Sequence, residues 1–561
     1  MASISSPWRF FLGPGAWTVN DKSWRLLSCI LIVLVGLIML ITFRDYGLTV
    51  DEEFQSTYAD GILAWYTSFF RDRAAVEFNT TVMLGGFFEV IAQSAARVLP
   101  FGLYESRHLV NCVFGLVAIV TAYRLGSYIV NPMAGFFSAL FLTLTPVFYG
   151  HSFNNPKDLP FAAMYLVATY FILLSYDHLP RPSTSLLIKT SVSIGLATAI
   201  RVGGLILFGY LALFWAAWFV VQWRAGAFDG RAEVKKAAFA LSSRLGLTVI
   251  VGWAAMLVWW PWAQISPLVN PFKALITLSR FDLVTSSFFN GSYIDSADLP
   301  WTYLPTWFCI TLPEFYLIAL FSGCCRFGGG LIPRFKEHLQ EADKLIKTSF
   351  VGLAAIMPVI GAIVLHSRLG SANRYFLFTV PPLAVLAGVS FAAVLKSSGY
   401  RYAKALASVL ILIAVASTAH DMIQLHPYEY IYFNRVIGGG LKRASAKFET
   451  EYWGSSFSEG AEWLIENYHP DCREVIRVAP CAPEFQSGYY FDKSIEAKDR
   501  FRQVAEELNG DGERVEGAEP PHVVLSKSRE TCYRTDQGKV LHIVERQGVP
   551  LLYIIELHHP R

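Results

Sequence analysis

Up to about residue 420 the chain alternates long apolar runs with short charged stretches. A membrane helix needs about 20 mainly apolar residues. That length picks out about eleven segments: 26–43, 108–124, 133–150, 159–176, 187–200, 202–222, 244–262, 300–322, 348–366, 375–395 and 403–420. The first is long enough to span, and no small-residue cleavage site follows it, so it reads as a span and not a removable leader. Residues 81–99 differ. Glu89, Gln93 and Arg97 recur every fourth residue, which gathers polar groups on one helical face and predicts an amphipathic helix lying at the interface. Beyond Asp421 the apolar runs stop. Ser456-Phe457-Ser458-Glu459 has the form of a capping box opening a helix, and a second charged helix is expected over 494–508. Residues 474–478, 522–526, 540–544 and 551–556 read as strands, the last two joined through Arg546-Gln547-Gly548. The pattern predicts an all-α polytopic membrane protein with a C-terminal α/β domain. Its divisions are expected at 1–25 for a cytoplasmic N-terminus, 26–420 for the transmembrane part and 421–561 for the tail.

Composition sharpens this picture. Of 561 residues, 53% are hydrophobic and 16% charged, against roughly 25% charged in soluble domains. A net charge of +3 with no Lys/Arg-rich run argues against nucleic acid as a partner. The 15 tryptophans suit interfacial belts, and Pro300-Trp301-Thr302-Tyr303-Leu304-Pro305 with Trp307 reads as one. The eight cysteines include no CxxC pair. Cys472, Cys481 and Cys532 in the tail leave room for one disulfide and one spare thiol. With a cytoplasmic N-terminus, the alternate loops carry most of the Lys and Arg, as the positive-inside rule requires. The acidic loop after residue 43, the 151–158 loop, Arg201, 263–299, 366–374 and the tail then fall on the extracytoplasmic face.

That face holds the candidate chemistry. Asp45, Asp51, Glu52 and Glu53 follow the first apolar run, and ionisable groups at a membrane face often mark a substrate or ion path. His151-Ser152-Phe153-Asn154-Asn155-Pro156-Lys157-Asp158-Leu159-Pro160 adds a carboxylate and an ammonium, although Asp158 also suits a helix start. Arg201 stands between apolar runs, where snorkelling is the plain explanation. Arg368 and Arg374, beside Tyr375, have no positive-inside role, and the guanidinium fork suits phosphate. Carboxylates for proton transfer beside cations for phosphate fit group transfer from a lipid-linked phosphate donor. The alternative is a transporter or lipid flippase, which would more often carry its charges near the midplane and repeat its halves. A noncatalytic scaffold would leave the acidic loop unexplained.

Asp51-Glu52 after the first span resembles the acidic motif of the GT-C glycosyltransferases of family 39, which include protein O-mannosyltransferases and lipid A aminoarabinose transferases. The resemblance extends through the 151–162 stretch, Pro300-Trp301-Thr302-Tyr303-Leu304-Pro305, Arg374-Tyr375, His426-Pro427-Tyr428-Glu429-Tyr430-Ile431-Tyr432-Phe433-Asn434 and Tyr452-Trp453-Gly454. It implies a polyprenyl-phosphate-linked sugar donor, a lipid, glycan or protein acceptor, and an inverting single displacement. Asp51 would be the general base, Glu52 and Asp158 further catalytic carboxylates, and Arg374, Lys157, Arg201 and Tyr375 the donor-phosphate site. A divalent cation has a place in such a site; no other cofactor is implied. The membrane would be the bacterial inner membrane, or the endoplasmic reticulum in a eukaryote. One departure stands out: 263–299 is too short for the β-trefoil domain that eukaryotic protein O-mannosyltransferases insert there.

Overall fold

The computed structural model describes residues 20–279, 286–328, 339–396, 401–470, 475–504, 520–529 and 535–558. The helices that matter here are α1 (Asp21–Thr42), α2 (Glu52–Thr67), α3 (Phe87–Ala96), α4 (Leu103–Ile129), α5 (Pro132–Thr143), α6 (Pro146–Asn154), α7 (Asp158–Tyr176), α8 (Thr184–Thr198), α9 (Ile206–Arg224), α10 (Arg231–Leu257), α11 (Tyr303–Thr311), α12 (Glu314–Gly328), α13 (Leu339–Val364), α14 (Val380–Lys396), α15 (Arg401–Leu425), α16 (Phe457–Asn467) and α17 (Phe485–Lys493). Among the described residues, eight helices are long and apolar enough to cross a membrane, or ten if two bent pairs each count as one span. This is an integral, multi-pass membrane protein. α5 lies among α1, α4 and α14. Close approach there depends on small residues, as is usual between membrane helices: a Cβ on Gly388 would collide with Ser138, and one on Gly126 with Ser138 and Ala134.

Several expected elements take another form. The segment 187–200 is helical as α8, but at 15 residues it is only ~22 Å long. The segment 133–150 bends by 66° between α5 and α6, and 300–322 bends by 106° between α11 and α12. Both breaks fall before a proline, Thr145-Pro146 and Leu312-Pro313, where the preceding residue is pushed out of the helical region; Leu312 sits at ψ 133°. α11 therefore leaves the bundle. Tyr303, Leu304 and Trp307 join a core with Phe433 and Phe448 from the tail, so these rings are buried packing and not an interfacial belt, whereas Trp301 is well exposed.

The amphipathic helix over 81–99 shortens to α3, and its polar face turns inward. Glu89 and Gln93 are buried, and both bond Arg107 of α4. Arg97 alone stays exposed, paired with Asp60.

The tail folds on a five-stranded mixed sheet of order β4-β3-β5-β7-β6, formed by β3 (Ile476–Pro480), β4 (Phe501–Gln503), β5 (Val523–Lys527), β6 (Gly538–Arg546) and β7 (Val549–Leu557). β1 (Ser286–Phe289) and β2 (Ser292–Asp295) form a separate hairpin. The β6–β7 hairpin turns at Gln547-Gly548, with φ of 50° and 73°, the positive angles that a two-residue primed turn requires. The helix expected over 494–508 is absent from the described part of that range. Phe501 instead stacks on Phe491 at 4.8 Å and starts β4, paired in parallel with β3. α16 begins where the capping box predicts, yet Ser456 makes no cap bond and Glu459 turns away to Tyr428 and Arg546. Cys481 is disulfide-bonded; Cys472 and Cys532 lie outside the described residues.

Candidate active site

After α1 the chain runs through the acidic loop, which is packed tightly against α6 and the tail. Tyr46 stacks on Phe153 with ring centroids 3.7 Å apart, and its hydroxyl donates to Glu429 at 2.9 Å. A Cβ on Gly47 would collide with the backbone of Ser455 and the hydroxyl of Ser458, so the tail packs this closely on the loop only where the loop carries a glycine. Asn154 Nδ2 donates to the Gly47 carbonyl at 2.9 Å, and Gln486 Nε2 donates to the carbonyls of Leu48 at 3.0 Å and Trp453 at 2.9 Å. The Val50 N–H donates to that same Trp453 carbonyl at 3.2 Å. Glu52, the first residue of α2, then reaches back along the loop and accepts from the Thr49 N–H at 2.9 Å.

Pinned in this way, Asp51 meets two cations. Arg374 Nη1 lies 2.7 Å and Lys157 Nζ 3.3 Å from Asp51 Oδ2. Burial alone would raise the pKa of Asp51, but the charges of Lys157 and Arg374 outweigh it and hold the carboxyl well below its usual range. Asp158, at the start of α7, is buried and pairs with Arg201; Asn155 Nδ2 also donates to it at 3.2 Å. The Tyr375 ring lies between the two guanidiniums, 4.8 Å from Arg374 and 5.7 Å from Arg201. Arg374 Nη2 donates to the Tyr375 hydroxyl at 3.2 Å. The Nε–H groups of both arginines have no partner among the described residues.

Asp51, Lys157, Arg201, Arg374 and Tyr375 line one cavity of about 600 Å³. Asp158 sits behind it, touching the cavity through Arg201. Glu52 does not line it. This residue is 1% exposed and lies 2.9 Å from His108 Nε2, on the far side of the loop. No group of three His, Cys, Asp or Glu side chains among the described residues could hold a metal ion. Asp51 and Asp158 are each matched to cationic side chains, a donor set that does not suit a divalent cation.

Pattern reading missed the residues that shape this centre from a distance. Trp453 lies 4.9 Å from the Arg374 guanidinium and 4.7 Å from the His151 ring. With its amide oriented to suit both neighbours, Gln55 accepts from Lys157 at 3.2 Å and donates to Glu89 at 2.8 Å, linking the cavity to the buried Glu89–Arg107 pair. Tyr452-Trp453-Gly454 was visible as a motif, but nothing in the sequence ties it to Arg374.

Fold and site together define a multi-pass membrane protein with a charged cavity at the ends of its helices. The family model described as dolichyl-phosphate-mannose-protein mannosyltransferase matches residues 101–229, a stretch that contains Lys157, Asp158 and Arg201. No curated protein matches. Among solved structures, the chain is similar to ArnT from Cupriavidus metallidurans bound to undecaprenyl phosphate, at 13% identity over 95% of this chain and 98% of that one, with a TM-score of 0.49. It is also similar to the Archaeoglobus fulgidus oligosaccharyltransferase in its apo form, at 14% identity over 89% of this chain and 69% of that one, with a TM-score of 0.44.

Proposed function

We propose that the protein is a membrane glycosyltransferase that moves a sugar from a polyprenyl-phosphate donor to a hydroxyl acceptor on the extracytoplasmic face. The observation that carries this reading is the meeting of Asp51 with Arg374, Lys157 and Arg201 at one cavity. The family match over 101–229 supports it. Arg374 and Arg201, both lining the cavity, take the donor phosphate through their guanidinium groups. Tyr375 lies within cation–π reach of both guanidiniums, and Lys157 adds a third positive charge. The acceptor oxygen attacks the anomeric carbon as its proton passes to Asp51. The bond from that carbon to the phosphate oxygen breaks on the opposite face, inverting the centre. The electron pair leaves on the polyprenyl phosphate, where the three cations stabilise it. Asp158 fixes Arg201 in place.

Asp51→Asn keeps the shape of the side chain and removes the base. Transfer by purified, folded protein is expected to fall roughly 10²–10⁴-fold while donor lipid still binds. Near-normal turnover would move the base elsewhere, with Asp158 the next carboxylate to test. Arg374→Lys keeps the charge and loses the fork, so donor use should weaken. Wild-type donor affinity in Arg374→Ala would remove the phosphate assignment.

A further inference from the structure

A second cavity, of about 440 Å³, lies across the acidic loop from the first. Tyr46 and Leu48 of the loop form one wall, α4 supplies Tyr104, Glu105 and His108, and the tail closes it with Tyr489, Tyr490 and Lys493. Its volume falls within the range of small-molecule sites, roughly 300–1,000 Å³. Its charges cancel: Arg44 and Lys493 stand against Glu105 and Glu462. A lining of this kind favours neither an anion nor a cation, and its charges would penalise an acyl chain. Flat ring faces alternate with polar groups. Tyr104 and Tyr489 meet edge to face at 5.0 Å, and Glu105 accepts from the Tyr489 hydroxyl at 2.7 Å and pairs with Lys493. His108 is 2% exposed. Its Nε2 is taken by Glu52, and its Nδ1 has no partner among the described residues. The space also depends on a glycine, because a Cβ on Gly102 would run into Glu105 and the Tyr489 hydroxyl.

Aromatic faces for C–H groups and mixed donors and acceptors for hydroxyls are the chemistry that recognises a sugar ring. We propose that this cavity holds a neutral sugar residue of a glycan acceptor. The inference rests on the glycosyltransferase reading above and names its acceptor class. Donor phosphate and acceptor glycan then sit on opposite sides of one loop. His108, bonded to Glu52 next to Asp51, links the two.

Saturation-transfer NMR on the full chain in nanodiscs tests this with a panel of neutral mono- and oligosaccharides as probes. At least one should give signal, and its affinity should fall about tenfold in Tyr489→Ala and in Gly102→Ala while surviving Arg374→Ala. Lys493, whose side chain is 54% exposed, supplies a second variant at the surface, and Lys493→Ala should weaken the same sugar. Absence of signal from every neutral sugar, equal binding in all cavity variants, or displacement of the bound sugar by peptides instead of glycans would each overturn the proposal. Polyprenyl phosphate binding is measured in parallel. If it persists and depends on Arg374 while no sugar binds, the acceptor class is wrong and the donor reading stands. If it is also lost from the wild type, the donor reading fails as well.

Discussion

In the proposed reaction Asp51 accepts a proton while two cations hold its negative charge in place, and a carboxylate so stabilised is a weak base. Donor phosphate would engage the same Arg374 and Lys157 that now face Asp51. It should therefore restore basicity at the moment the acceptor needs it. In a protein with ¹³C-labelled aspartate, the Asp51 titration should move upward when polyprenyl phosphate binds, and also in Arg374→Ala without lipid. No movement in either case would remove the coupling. The sign for stability follows from the depressed pKa. The Asp51 ion pairs contribute above the unfolded carboxylate range near ~3.9, and the contribution is lost as pH falls toward the depressed value. Glu52 lies off the cavity, against His108. Glu52→Gln keeps an acceptor for Thr49 but loses the charge facing His108, which should cost about 1–3 kcal/mol of stability. Thermal unfolding in detergent would show it, with donor binding kept. At this scale the sequence disclosed residue types but not partners: 323 positions separate Asp51 from Arg374, and no local pattern spans that distance.

Elements were easier to read than their bends. The apolar runs gave the helices, because length in a hydrocarbon layer leaves few choices. The breaks at Pro146 and Pro313 escaped because apolar residues flank both, and a length criterion runs straight through them. α3 shows the converse limit. Four-residue spacing says that Glu89 and Gln93 share a face, not that Arg107 waits opposite. In the tail, alternation marked four strands correctly and turn chemistry marked the β6–β7 hairpin, whereas charge density around 494–508 suggested a helix where Phe501 pairs in a sheet. The stretch between the short helix Gly440–Ala444 and α16 lays Trp453 against Arg374. Trp453→Ala removes a cation–π contact worth roughly 0.5–2 kcal/mol, so donor affinity should drop ~2–30-fold, with Trp453→Phe retaining part of it. Isothermal titration with polyprenyl phosphate in wild type and both variants measures this. Equal affinity in all three would reduce Trp453 to packing.

Across the whole molecule, one aromatic core joins α11, the 372–376 region and the tail sheet, so the tail is built into the cavity end of the bundle. His426 helps to fasten it, lying 3.0 Å from Asp45 and 2.9 Å from Glu429. Burial disfavours its charged form, but the hydrogen bonds and charges of Glu429 and Asp45 outweigh that and raise its pKa. A raised histidine pKa gives stability that is full below ~6.5 and lost as pH climbs through the raised value. Limited proteolysis should therefore cut the 421–434 junction faster in mildly alkaline buffer, and His426→Gln should flatten that dependence. For orientation, a cysteine at Ile495, which is 84% exposed, should react with an impermeant reagent in intact cells; reaction only after permeabilisation would invert the topology. The bond between the Val50 N–H and the Trp453 carbonyl also has a consequence in time. A ribosome adding about 5–20 residues per second makes Asp51 roughly 20–80 s before it makes Trp453. Throughout that interval the nascent chain carries an acidic loop that lacks its brace from the tail, so Asp51 reaches its final setting only after Trp453 has been made and folded against the loop.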